Sequence, residues 1–386
     1  MQYANGFTKE YASNYYYHTG GHQEIFGIPE RIFQRNFKFF EKTDIKFYYP
    51  IFVVAQSFNL TKPLELPPKI VKKIKQKKCK ILLINAFEGW AYDYSHDVYI
   101  YILQKKYKLE FDDFVIVSAN MAKHPLVNTL YLNVWETTYS YIMEDTLQKL
   151  DFKNKILSST TCDNRFICLN RRPRSHRIAV LTLLHDYRDT GILTMGTGDA
   201  NIPQFSYDSQ LTEFMHLYKS LSDEYNELDI RKDLPYVYDM DTSIECPAED
   251  QDIDKFINSY LHIVTETLVS NDPNQIFFSE KTFKPIVFMR PFVLINRAGA
   301  LKQLHEMGFK TFSDVIDESY DDIVDNEQRV IAAINAAIDF FIKPKDELNT
   351  ILINMLDRLE HNHLTLQKRK NKMLKSISKK LNNYLG

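Results

Sequence analysis

Three groups of residues in this chain have the types and spacings to do chemistry. The first is the turn Ser279-Glu280-Lys281 with Lys284 one turn on. A helix start carries unpaired N–H groups and partial positive charge, which suits a phosphate. Lys281 and Lys284 add full charges there, and Glu280 suits the paired hydroxyls of a ribose. The same residues also make an ordinary helix start, with Ser279 as cap and Glu280 answering the helix dipole. The second group is Arg171-Arg172-Pro173-Arg174-Ser175-His176-Arg177, where Arg171 and Arg177, with Arg172 behind them, are the candidates for bidentate contacts to phosphate oxygens. The alternative for this segment is a surface loop of ion pairs. The third group is the carboxylates Glu88, Asp93 and Glu136. A carboxylate within hydrogen-bond reach of a substrate hydroxyl can act as a general base. Glu88 ranks first, since Gly89 leaves room beside it and Trp90 could stack on a sugar. A turn carboxylate without a role is the competing reading.

The elements that must hold these residues are readable from apolar runs. Tyr260–Glu266 reads as a buried strand ending in Glu266, Ser279–Met289 as a helix, Pro291–Ile295 as a strand and Ala298–Met307 as a helix stopped by Gly308. Arg165–Asn170 reads as a strand that feeds the arginine segment, with a helix from Ile178 and a return strand over Gly191–Thr197. Upstream, Lys46–Gln56, Cys79–Ala86, Phe114–Ser118 and Tyr131–Trp135 read as strands, the last ending in Glu136, with helical pieces between them. Alternation of this kind builds α/β sheets with parallel strands, and ligands sit outside the carboxyl ends of such strands. Glu266, Ser279, Glu280, Lys281 and Lys284 therefore converge on one crevice. A polar stretch over Asp151–Asp163 sets a boundary, giving domains over 1–160 and 161–345 and a helical tail over 346–386.

Composition narrows the classes. The 386 residues suffice for two domains, and 44% hydrophobic with 25% charged residues is ordinary for a globular chain. A net charge of −2 excludes a globally basic nucleic-acid coat but not a local basic groove. Basic stretches lie at Lys69–Lys80 and Lys368–Lys380; each suits either a solvated helix face or a polyanion. The four cysteines lack zinc or CxxC spacing and read as free thiols of a reducing compartment. No apolar run reaches membrane-spanning length and Met1–Gly20 is not a signal peptide, so a cytoplasmic enzyme is expected, in the host cytoplasm if the source is viral. The tripeptide Asp239-Met240-Asp241 resembles a metal motif, but acidic loops produce it by chance, and no metal is expected.

The segment IFFSEKTFKPIVFMRPFVLI resembles the donor-binding region of the α1,3-fucosyltransferases and is similar to fucosyltransferase-like proteins of tailed phages and large viruses, which also carry NRRPRxHR-type loops. The resemblance covers roughly 160–325. It implies an α/β fold of two Rossmann-like domains facing across a cleft (GT-B type) with C-terminal helices. It implies a ribose role for Glu280 and a diphosphate role for Lys281, with an arginine after the 165–170 strand on the diphosphate and a base from the first domain. Where the family has Arg-Asn after the aromatic residue, this chain has Lys284-Pro285, which leaves nucleotide and sugar open. The expected function is sugar transfer (hexosyl or pentosyl) from a nucleoside-diphosphate sugar to an acceptor hydroxyl, inverting and metal-independent, with no cofactor beyond the donor. The acceptor is a glycan or, in a DNA-modifying alternative, a hydroxymethylated base in phage DNA. The alternative from another class is a non-catalytic nucleotide- or DNA-binding protein on the same fold.

Overall fold

The computed structural model describes residues 46–53, 65–86, 96–145, 151–158, 161–198, 206–235, 253–267, 269 and 277–385. The fold is α/β, with two separate parallel sheets of Rossmann-like character and a long C-terminal helix. By contacts the chain divides into one unit of Met1–Thr138, Asp272–Ser279 and Lys368–Gly386, and a second of Tyr139–Asn271 and Glu280–Gln367.

The first unit holds β1 (Phe47–Phe52), β2 (Cys79–Asn85), β3 (Phe114–Ser118) and β4 (Asn128–Tyr131), hydrogen-bonded in that order, all parallel. β3 reads FVIVS and is buried along its whole length, the composition expected of a parallel strand covered on both faces. The helix Pro68–Lys75 buries Ile70 and Ile74, one turn apart, and turns its lysines outward. The end of the chain also joins this core. Met373, Leu374, Ile377 and Leu381, at helical spacing, pack with the strand residues, and the Tyr48 hydroxyl donates to the Leu381 carbonyl at 2.6 Å.

The second unit holds β5 (Asn164–Cys168), β6 (Ile192–Leu193), β7 (Ser259–Thr265) and β8 (Phe292–Ile295), in the order β6-β5-β7-β8, again parallel. The helix Asn326–Phe341 is capped by Asp325 and buries a Val330, Ala333, Ile334, Ala337 and Phe341 stripe, with Phe341 stacked on Phe166 at 4.8 Å. Chain order turns back at β5: β6 lies on one side of it and β7 on the other. The gap outside the carboxyl ends of β5 and β7 is thus a topological switch point, where open α/β sheets leave room for a ligand.

One expectation changes. The strand expected over Tyr131–Trp135 ends at Tyr131, because Asn133 caps a helix over Val134–Asp145: its Oδ1 accepts from the backbone N–H of Trp135 (2.9 Å) and Glu136 (3.2 Å). Within the second unit, Phe152 packs edge-on to Phe288 at 6.0 Å. The tail separates at Lys368, its later part belonging with the first unit. No helix among the described residues is long and apolar enough to cross a membrane.

Candidate functional site

The strand ends of the second unit are tied together by short polar side chains. Asn170, just past β5, accepts from the Thr265 hydroxyl at 2.5 Å and donates its backbone N–H to Thr194 Oγ1 at 2.9 Å. All three residues are buried. Gly196 comes so close to this edge that a Cβ there would lie 2.1 Å from the Arg171 carbonyl oxygen. The start of the arginine segment is therefore fixed by backbone packing, and the remainder leads directly into the helix Ser175–Leu183.

That helix carries His176 and Arg177 back beneath β7. His176 Nε2 donates to the Glu266 carbonyl at 2.9 Å. Burial, and the Arg177 charge beside it, hold the imidazole well below its usual pKa, so it is neutral. Arg177 donates to the carbonyls of Arg172 (2.8 Å), Thr265 (3.2 Å) and Glu266 (3.4 Å). It is buried, and desolvation, with Arg174 adding repulsion, brings its pKa down to about 10. Its Nε is a buried donor with no acceptor among the described residues. Arg177 thus locks the carboxyl end of β7 to the arginine segment, while Arg171 and Arg172 stand exposed.

Glu266, wholly buried, follows β7. Its carboxylate accepts from Thr282 Oγ1 at 2.5 Å and from the Thr267 N–H at 3.1 Å. Thr282 lies in the helix Glu280–Val287, so this bond fixes that helix start against the end of β7. Ser279 is buried immediately ahead of it. Glu280 and Lys281 pair directly, and Lys281 also reaches Thr267 Oγ1 at 3.5 Å. Burial pushes the Glu280 carboxyl up, but the charges of Lys281 and Lys284 outweigh it and hold its pKa at about 2. Burial lowers Lys284 to about 8 despite Glu280, and its ammonium lies over the Phe256 ring at 5.5 Å. The arginine segment and this turn are close enough that Arg177 feels the Glu280 charge and His176 the Lys281 charge. The structure therefore brings Arg171, Arg172, Arg177, Glu266, Glu280, Lys281 and Lys284 to one edge of the second unit's sheet, where cations outnumber carboxylates; Ser279 precedes Glu280 in the chain and is counted with the first unit.

The first-unit carboxylates behave differently. Glu88 and Asp93 lie outside the described residues, as does Asp239-Met240-Asp241. Glu136 is wholly buried and paired: Arg369 Nε donates to its Oε1 at 2.7 Å, and the Tyr131 hydroxyl donates to Oε2 at 3.2 Å. Burial works against the Arg369 charge, but the Glu136 carboxylate overcomes it and raises the guanidinium above its ordinary value. Asn133 Nδ2 fastens the same helix start to the Phe278 carbonyl at 2.7 Å.

Sequence reasoning passed over a pair at the carboxyl ends of β2 and β3. His124 Nδ1 accepts from the N–H groups of Leu126 and Val127, both at 3.0 Å, which places the proton on Nε2. That N–H donates to Asp97 Oδ1 at 2.7 Å, and the Asp97 side chain is 43% exposed, held at one oxygen among the described residues. The only sequence signal was Asp97 in the first turn of the helix His96–Tyr107. No family model, curated protein or solved structure matches the chain.

Proposed function

We propose that the second unit binds a nucleoside-diphosphate sugar and that the chain is a glycosyltransferase of the two-domain GT-B type, resembling the α1,3-fucosyltransferases. The observation that carries this reading is the cationic sheet edge at the β5/β7 switch point, with Glu280 held ionised among Lys281 and Lys284. Lys281, Lys284 and the exposed Arg171 and Arg172 would take the diphosphate, and the Arg177 Nε is a buried donor that a ligand oxygen would satisfy. Glu280 would take the ribose hydroxyls. Backbone packing at Gly196 fixes the start of the arginine segment and Glu266 fixes the start of the helix, so the framework that carries the cations is set, as in sites that stabilise a departing anion.

In the reaction the acceptor hydroxyl loses its proton to a carboxylate as its oxygen attacks the anomeric carbon. The bond from that carbon to the diphosphate breaks, and the electron pair leaves on the diphosphate oxygen. Glu136 is occupied by Arg369, so the base is sought at Asp97 or in the Glu88–Asp93 segment.

The test is thermal-shift stabilisation by GDP, UDP, ADP, CMP and TDP, repeated on Glu280→Ala. A ligand at a hundred times its Kd stabilises by about 2.7 kcal/mol. A shift with one nucleotide that Glu280→Ala abolishes is the expected result and names the donor class. No shift with any of them overturns the donor reading. A retained nucleotide shift without turnover of any sugar donor favours a non-catalytic nucleotide-binding protein.

A further inference from the structure

We infer that the outer face of the C-terminal helix is a contact surface for the phosphate backbone of a double-stranded nucleic acid. The helix Leu356–Leu385 changes character after Glu360: no Asp or Glu follows it, while Lys368, Arg369, Lys370, Lys372, Lys375, Lys379 and Lys380 do. The structure sorts these cations. Arg369 is consumed by Glu136, and Lys370 is buried. Lys368, Lys372, Lys375 and Lys379 recur every three or four residues along one stripe, with Lys380 beside it, and all five are exposed. Among the described residues none of the five pairs with a carboxylate. At 1.5 Å per residue the stripe is a rod of charge about 18 Å long.

Three features select the partner. The apolar face of the same segment is spent: Met373, Leu374, Ile377 and Leu381 lie in the first unit's core. A helix that binds a lipid surface must offer that face to the acyl boundary, so a membrane is disfavoured. Asn371 and Ser376 among the lysines and Asn383 beyond them are exposed, and the segment's aromatic, Tyr384, packs half-buried against the first unit's core, so the described residues of this face offer no aromatic platform of the kind that stacks unpaired bases. Single strands are disfavoured for that reason. A straight row of point charges without base-reading side chains fits a rigid, regularly charged duplex backbone, bound without sequence preference. The surface shares no residue with the candidate donor site. Joined to the transferase reading, on which this consequence rests, it places the acceptor on duplex nucleic acid.

The experiment is fluorescence anisotropy of a 5′-labelled 30-base-pair duplex with the full chain across a range of salt concentrations. It is repeated on the quadruple variant Lys368→Gln, Lys372→Gln, Lys375→Gln, Lys379→Gln and on the matching quadruple Lys→Arg variant. All four positions are exposed, and an unchanged melting temperature certifies the fold. The expected result is salt-steep binding by the wild type and the Arg variant. The Gln variant should bind at least tenfold more weakly, with the slope of log K against log salt reduced by roughly 3–4. No duplex binding by the wild type overturns the inference, and so does an unchanged slope in the Gln variant. Equal or tighter binding to a single strand of the same length, or to vesicles containing phosphatidylserine, also overturns it. None of these outcomes bears on the nucleotide thermal shift, so failure here leaves the donor reading to its own test.

Discussion

Two residues decide how the candidate chemistry reads, and each has its own measurement. Lys284 carries a pKa near 8 because burial disfavours its charge more than Glu280 restores it. A bound diphosphate favours the ammonium, so nucleotide affinity should be level below pH 8, where Lys284 is already charged. Above pH 8 binding must take up a proton, and affinity should fall. One charge-assisted contact contributes about 1.5–3 kcal/mol, so the loss between pH 7.5 and 9.5 should be roughly tenfold or somewhat more. Calorimetric titration at several pH values checks this, and Lys284→Met should remove the slope; an equal slope in that variant would assign the effect elsewhere. Glu136 is the second case. Its carboxylate is wholly buried and its partner Arg369 is only partly exposed. Glu136→Ala should therefore cost about 3 kcal/mol by stranding a charge, read as a lower urea midpoint. A catalytic base would give the reverse pattern, lost turnover with stability intact. Asp97→Asn is the matched comparison, because Asp97 is half exposed and bonded through one oxygen. With Asp97 as the base it should keep the nucleotide thermal shift and lower donor turnover at least a hundredfold, whereas unchanged turnover assigns the base to the Glu88–Asp93 segment.

At the scale of elements, the arginine segment is shaped by a neighbour rather than by its own side chains. Gly196 sits where any Cβ would overlap the Arg171 carbonyl, a backbone atom that cannot swing aside. Gly196→Ala should therefore displace the start of the segment and weaken nucleotide binding roughly tenfold, while the far-ultraviolet circular dichroism stays unchanged. Normal affinity in that variant would mean that Arg171 and Arg172 do not position the ligand. This contact joins the segment after β6 to the loop after β5, a pairing that no local pattern in the sequence reveals. What was legible were the buried strands, because parallel strands are continuous apolar runs: FVIVS and FVLI can be read directly. The helix Asn326–Phe341 was equally plain, since its apolar stripe has one period throughout and an Asp stands at its cap. The strand expected over Tyr131–Trp135 failed in an instructive way. Asn133 followed three residues later by Glu136 is a helix-start signal, and it outranks the apolar character of Leu132, Val134 and Trp135. At the candidate site, the residues on strand ends and helix starts were legible because topology alone delivers them to one edge. The internal duties of Arg177 and His176 were not, because they depend on which carbonyls lie beneath them.

At the scale of the molecule, the end of the chain is the least dispensable of the elements that look dispensable. As sequence it is a lysine-rich helical tail after the second domain. By contacts, Lys368–Gly386 belongs to the first unit, and Met373, Leu374, Ile377 and Leu381 are part of that unit's core. Burying four side chains of this kind contributes roughly 6–12 kcal/mol as an upper figure, comparable with the entire stability of a typical domain. Deleting 368–386 also removes the Arg369 partner of the buried Glu136 and the carbonyl that receives the Tyr48 hydroxyl. The truncated chain should therefore lose amide protection throughout β1–β4 while β5–β8 keep theirs, because by contacts 368–386 group with the first unit. Hydrogen exchange read by mass spectrometry separates the two sheets. If β1–β4 remain protected after truncation, the tail is an appendage and the burial argument is wrong. The lysine-to-glutamine variant at 368, 372, 375 and 379 should lose no protection anywhere, because its changes lie only on the exposed face of the same helix. Comparing the two variants separates what the helix contributes to the fold from what its outer face offers to a partner.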